Sequence, residues 1–358
     1  MSFQISDHHL IPLEEGQAVS RGWTAATGHR PVAVTWHWTA TWDLAPATAL
    51  LGGPEPLRKG QASAHYGVGR SFAEGVHRYV SLDNRSWHAG KNQTLRWDGR
   101  PLDDPDYRDA RTAVGVETVN VGYARNGVPP EDHWLRADSP DGRRRMWIQP
   151  WTEEQVEMMI AVGREIVERW PGIGPDDHHG HHDVCPGYKV DVAAFPFARV
   201  LRGIYEDPTI PDVWSPLWTV RQRRRALRAL GYLGAATGDA AAADPAADRW
   251  NPAADAALRR FQAEHGLAVD GMWTVFVNRA VHRLAAERGE RLEELTAAGA
   301  AAGPEGGTTT VTGGGLVKTS VYLHPDDRRR LRETAAERGV SVSRLLRETL
   351  RAELIGGE

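Results

Sequence analysis

The sequence predicts an α/β domain first, a small all-helical module after it, and a short strand–helix–helix segment at the end. Three observations predict this. Two apolar, β-branched runs, residues 31–38 and 113–121, read as buried strands. Residues 152–170 read as a long amphipathic helix, and strands interspersed with such a helix point to an α/β layer architecture. The composition shifts twice, at an Ala/Asp/Gly-rich insert over residues 237–247 and at an Ala/Gly/Thr/Pro stretch over residues 297–315; domain boundaries fall at the latter and near 208–216, where prolines interrupt any regular element.

A chain of 358 residues exceeds one ordinary core and suits several domains. With 41% hydrophobic and 25% charged residues it is of globular composition. A net charge of −4 gives no global attraction to nucleic acid or to anionic lipid. The single cysteine, Cys185, excludes an internal disulfide framework and fits folding in a reducing compartment. Residues 1–20 carry acids and paired histidines where a signal peptide needs a basic start and an apolar run, and no stretch has the length of a membrane span.

Each element has its own signal. In the helix at 152–170, Thr152 and Gln155 form a capping-box pattern, and Val156, Met159, Ile160, Gly163, Ile166, Val167 and Trp170 recur at helical spacing. Residues 180–191, read as a loop, crowd imidazole, ammonium and carboxylate groups together. A catalytic zinc takes three protein ligands and leaves a fourth position for water. His181 and Asp191 supply two candidates, and His37, near the end of the first strand, stands where a rigid backbone holds a third. Two neutral imidazoles and one carboxylate leave such a site net positive, which favours acidifying a water and polarising a carbonyl. Taken alone, His178, His179, His181 and His182 equally describe a solvated loop, and His37 between Trp36 and Trp38 a packed core residue.

Residues 181–191 resemble the H-x-D-x-x-P-G-x-K-x-D signature of AmpD-type amidases, whose relatives include phage endolysins and peptidoglycan recognition proteins. Four further segments resemble that family in the same order: residues 34–40, 62–66, 86–90 and 114–117. The resemblance implies a central mixed β-sheet flanked by helices. It makes His37, His181 and Asp191 the ligands of a Zn²⁺ ion, Glu117 the catalytic carboxylate and Lys189 the cation at the reacting carbonyl. A glutamate at a strand end can serve as both base and acid for amide hydrolysis, and a lysine can stabilise the developing oxyanion. His65, Trp87 and His88 are implied to line the substrate groove. The chain departs from the pattern in having Val192-Ala193 after Asp191 and Ala64 where some branches carry a tyrosine; Cys185 is the rival third ligand.

Residues 259–273 resemble the F-Q-x-x-x-G-L-x-V-D-G motif of three-helix peptidoglycan-binding domains, with residues 225–232 matching the first helix. Leu258, Phe261 and Leu267 read as bundle core and Asp270-Gly271 as a turn. Residues 318–323 alternate like a strand and two helical patterns follow, which resembles a ribbon–helix–helix domain and predicts a homodimer through 316–358. Lys318, Ser320 and Tyr322 face outward there; with one charge among the three, DNA binding ranks behind plain dimerisation.

The expected organisation is a zinc amidase domain over 1–207, a peptidoglycan-binding helical domain over 212–296, a flexible linker over 297–315 and the tail over 316–358. The expected activity is hydrolysis of the bond between N-acetylmuramic acid and L-alanine in bacterial peptidoglycan, as an endolysin-type lytic enzyme. Such an enzyme is made in the cytoplasm without a signal peptide and reaches the wall through a separate membrane pore. The alternatives are a peptidoglycan-sensing regulator with a DNA-binding tail, or an intracellular muropeptide-recycling amidase.

Overall fold

The computed structural model describes residues 3–7, 19–20, 22–25, 29–52, 62–90, 92–234 and 249–297, with Thr334 and Arg338. Residues 1–305 form one compact unit and residues 306–358 a second. The expected ribbon–helix–helix tail, with its dimer and DNA readings, lies outside the described residues.

Among the described residues the strands are β1 (Ile5–Ser6), β2 (Val19–Ser20), β3 (Trp23–Thr24), β4 (Ala33–Trp38), β5 (Tyr66–Val68), β6 (Val76–Arg78), β7 (Arg85–Ser86), β8 (Ala113–Thr118), β9 (Leu135–Asp138), β10 (Arg145–Ile148) and β11 (His178–Gly180). The helices are α1 (Leu44–Leu51), α2 (Asp109–Thr112), α3 (Glu153–Arg169), α4 (His181–Val184), α5 (Phe197–Tyr205), α6 (Val220–Ala229), α7 (Pro252–Glu264), α8 (Val275–Glu287) and α9 (Leu292–Ala297). Six strands make the central sheet in the order β1-β6-β5-β8-β4-β11. It is mixed: β5 and β6 run antiparallel and the other neighbours run parallel.

The alternation of β4 sorts its side chains between the two faces of the sheet. Val34 and Trp36 join Val114, Val116 and Tyr66 in the apolar core, together with Val156, Met159 and Ile166 of α3 and Leu201 of α5. Thr35 and His37 occupy the opposite face, with register partners Gly115 and Glu117 on β8. One sheet thus presents a greasy side to its helices and a chemical side to the groups described below.

The Thr152 hydroxyl caps α3 by accepting from the Gln155 N–H at 3.0 Å, and the Gln155 side chain returns the bond to the Thr152 N–H at 3.2 Å. The buried stripe is wider than the sequence pattern, adding Met158 and Val162. α3 and α5 cross closely because Gly163 and Gly203 lack side chains: a Cβ on either would come within 2.4 Å of Ile204 or Ile160.

Residues 208–216 interrupt regular structure as expected, yet the stretch is anchored, because Ile210, Val213 and Trp214 join the core of the first domain. The helical module packs its own core of Leu227, Leu258, Phe261, Trp273, Val277 and Val281, with Leu267 half-buried beside it. The Asp270-Gly271 turn forms as expected, Gly271 taking φ +71° and donating its N–H to Gln262 Oε1 at 2.9 Å. The module is docked on the first domain: Phe276 enters the sheet core, and Arg223 donates to the carbonyls of Ser139 and Asp138.

Candidate metal centre and active site

Three strands converge on the site. Parallel pairing of β11 with β4 sets Gly180 beside Trp36, so His181, at the start of α4, emerges next to His37. The segment read as a loop is therefore a short strand followed by one helical turn, formed because His178 and His179 pair with Val34 and Thr35 on β4. Beyond α4 the chain folds back, and the His182 N–H donates to the Asp191 carbonyl, which returns Asp191 to His181.

His37, His181 and Asp191 are all buried, and among the described residues they form the one group of three whose ligand atoms lie within 4.8 Å of one another. Nδ1 of His37 and Nδ1 of His181 are 3.0 Å apart, and Asp191 Oδ2 lies 3.4 Å and 3.2 Å from them. A tetrahedral ion with bonds of about 2.0–2.2 Å would separate its ligand atoms by about 3.3–3.6 Å. The three atoms therefore describe a slightly contracted face of such a tetrahedron.

The outer ring nitrogens support the same reading. His181 Nε2 lies 3.1 Å from the Ala89 carbonyl, which can only accept, so Nε2 carries a proton and Nδ1 is the nitrogen that faces His37 and Asp191. His37 Nε2 meets His88 Nδ1 at 3.0 Å. Hydrogen bonds of this kind orient metal-ligating histidines and fix their tautomers. Cys185 is buried nearby, but its sulfur lies 4.0 Å from the Ala89 carbonyl and outside the group of three.

Electrostatics sharpen the picture. Burial first, and the charge on His181 second, hold His37 down at about 4, so it is neutral. Burial opposes a charge on His181 too, but the Asp191 carboxylate outweighs it and pushes His181 up to about 10. Asp191 in turn sits well below the usual carboxylate range: burial opposes this, and His181 beside it overcomes the burial. Glu117 moves the other way. Burial, reinforced by the Asp191 charge, pushes its carboxyl up to about 8 against the pull of His181 and Lys189, and its Oε2 has no hydrogen-bond partner. Lys189 is half-buried, 5.4 Å above the Tyr188 ring, and borders a cleft of about 300 Å³ with Arg143, Arg144 and the exposed Tyr188.

The three groove candidates fall in different places. His88 is buried against Gly115 and supports His37, while its Nε2 has no partner. His65 is wholly buried; Nδ1 faces the Ser86 hydroxyl and the Gly115 N–H, and Nε2 the Asn84 carbonyl. Both of its nitrogens are thus committed to holding β5, β7 and β8 together. Trp87 is half-buried and donates its indole N–H to Thr24 at 3.0 Å.

Sequence reasoning missed a network beneath the metal group. Asp109 on α2 is wholly buried, accepting from Thr35 at 2.7 Å and lying 2.8 Å from His179 Nε2. Burial resists its charge, but His179 outweighs that and brings Asp109 to about 2. The signal was the alternation itself: Thr35 and His179 share the face of His37 and His181.

Residues 27–191 match the family model described as N-acetylmuramoyl-L-alanine amidase. Residues 219–277 match the model described as putative peptidoglycan binding domain. Among curated proteins, the 1,6-anhydro-N-acetylmuramyl-L-alanine amidase AmpD of Enterobacter cloacae is 26% identical over 125 residues, which are 35% of this chain and 48% of that protein. The chain thus spans about half the length of the curated relative it matches. Among solved structures, the N-acetylmuramyl-L-alanine amidase AmiD from E. coli aligns with a TM-score of 0.41 and 19% identity, covering 74% of this chain and 93% of that one. AmpDh3 from Pseudomonas aeruginosa aligns with a TM-score of 0.39 and 20% identity, covering 77% and 98%.

Proposed function

We propose that the chain hydrolyses the amide bond between N-acetylmuramic acid and L-alanine in bacterial peptidoglycan, with zinc held by His37, His181 and Asp191, as a wall-lytic enzyme of the endolysin type. The buried group of two imidazoles and one carboxylate beside Glu117 carries this reading. Bound there, zinc would supply Lewis acidity to a water and to the scissile carbonyl.

The chain's own residues do the rest. Glu117, sited on rigid β8 with an unpaired Oε2, takes the proton of the attacking water and returns it to the leaving amine. In the metal-free fold burial pushes this carboxyl up, so its site favours holding a proton, as a group that takes and returns one must. Lys189 places an ammonium near the charge that develops on the carbonyl oxygen, a contribution of about 3–4 kcal/mol at comparable sites. Asp191 is preferred to Cys185 as third ligand because its oxygen lies 3.2–3.4 Å from both imidazoles.

A segment matching peptidoglycan-binding domains supports an insoluble polymer as substrate, since holding enzyme and wall together raises their effective concentration. No helix of the described residues is long and apolar enough to cross a membrane, and delivery through a separately encoded pore is part of this proposal. Incubation with purified sacculi tests it. New alanine amino termini without new reducing sugars are expected; reducing ends alone would mean a glycosidase and sink the reading.

A further inference from the structure

We infer that Asp183 is a positioning residue through which the helical module sets the metal ligand His181. The inference rests on the zinc reading above. Asp183 is 1% exposed, and both of its oxygens are engaged. Oδ2 accepts from the Gly180 N–H at 2.7 Å, the residue that joins β11 to His181. Oδ1 accepts from the Val275 N–H at 2.7 Å, the first residue of α8, and lies 3.3 Å from His182 Nε2. One carboxylate thus spans the backbone presenting a ligand and the start of a helix more than ninety residues further on.

The way α8 begins makes this connection specific. Thr152, Thr219 and Asn251 each cap their own helix with a side-chain hydrogen bond. Thr274, in the same position before α8, makes none. The first N–H of α8 is served instead by Asp183, and a carboxylate suits the positive end of a helix dipole. A second tie runs in parallel: Arg279 of α8 donates to the His178 carbonyl at 2.8 Å, three residues before the ligand. α8 therefore grips the β11–α4 segment on both sides of Gly180. The module is a wall of the active-site scaffold as well as a candidate anchor.

If Asp183 served only its own loop, removing the α8 partner would leave the metal untouched. Val275→Pro performs that removal, because proline lacks the N–H yet is tolerated at the first helical position, and Thr274 is already extended. Val275→Ala removes similar core volume and keeps the N–H. In the full chain, zinc dissociation constants are measured by chelator competition, alongside thermal midpoints of the metal-free protein. Both substitutions at Val275 are expected to lower the midpoint. Val275→Pro and Asp183→Asn are expected to weaken zinc by about 10–100-fold, as loss of a ligand's supporting contacts typically does, and Val275→Ala to leave it at the parent value. Parent-like zinc affinity in Val275→Pro, or equal weakening in Val275→Ala, overturns the inference. A parent that binds no zinc overturns the proposed chemistry as well, so the two failures are distinguishable.

Discussion

Glu117 holds a proton that the unfolded chain would release. Its carboxyl rises from 4.5 to about 8 in the metal-free fold, chiefly through burial, so the folded state binds more protons than the unfolded state between those values. Stability from this group is fully present below about 4.5 and is lost as pH rises through about 8. Glu117→Gln should therefore raise the thermal midpoint of the metal-free chain at pH 8, with the gain vanishing near pH 4.5. The same variant should retain zinc while hydrolysis falls by about 10²–10⁴-fold, the usual contribution of general acid–base catalysis; a parent-like rate would remove Glu117 from the mechanism. Gly115 makes a second residue-scale case, since a Cβ there would sit 2.4 Å from the His88 ring. Gly115→Ala should displace His88 from His37 and weaken zinc by about 10–100-fold in chelator competition. Unchanged affinity would mean that His88 does not hold the ligand. His37, His181 and Asp191 were legible as residue types at the right spacing, whereas the supporting role of His88 was not, because it depends on the space over Gly115.

At the scale of elements, the long helix was the most legible part of the chain. Its capping box and apolar periodicity placed it at 152–170, and α3 spans Glu153–Arg169. Thr152→Ala should cost about 1 kcal/mol in urea unfolding and leave zinc affinity alone, because the cap stabilises the helix end and touches no ligand. The strand expected over 113–121 stops at Thr118: the Val119 N–H makes the last rung to Val68 of β5, the Val121 N–H then goes to the Gln149 side chain, and Gly122 takes φ +79°. β11 was not legible at all. His178-His179-Gly180 has no hydrophobic alternation, and pairing with β4 makes it a strand. Tertiary contacts thus decided the short element that leads into a ligand, and local pattern decided the long ones.

At the scale of the molecule, family-like motifs announced two modules, but not that they dock. Docking depends on Phe276 and Arg223, residues that bottom-up reading assigns to a helical bundle. Because residues 1–305 form one unit, thermal unfolding of the two modules should appear as a single transition; two separated transitions would show that the docking contributes little. Phe276→Ala should lower its stability by about 3–5 kcal/mol, as deletion of a buried ring does. The central claim is that His37, His181 and Asp191 hold the metal that cuts the wall. Zinc content and release of alanine amino termini from sacculi, measured side by side for the parent, Asp191→Ala and Cys185→Ala, test it most directly. The account predicts that Asp191→Ala loses both and Cys185→Ala keeps both; loss of zinc in the cysteine variant alone would contradict it.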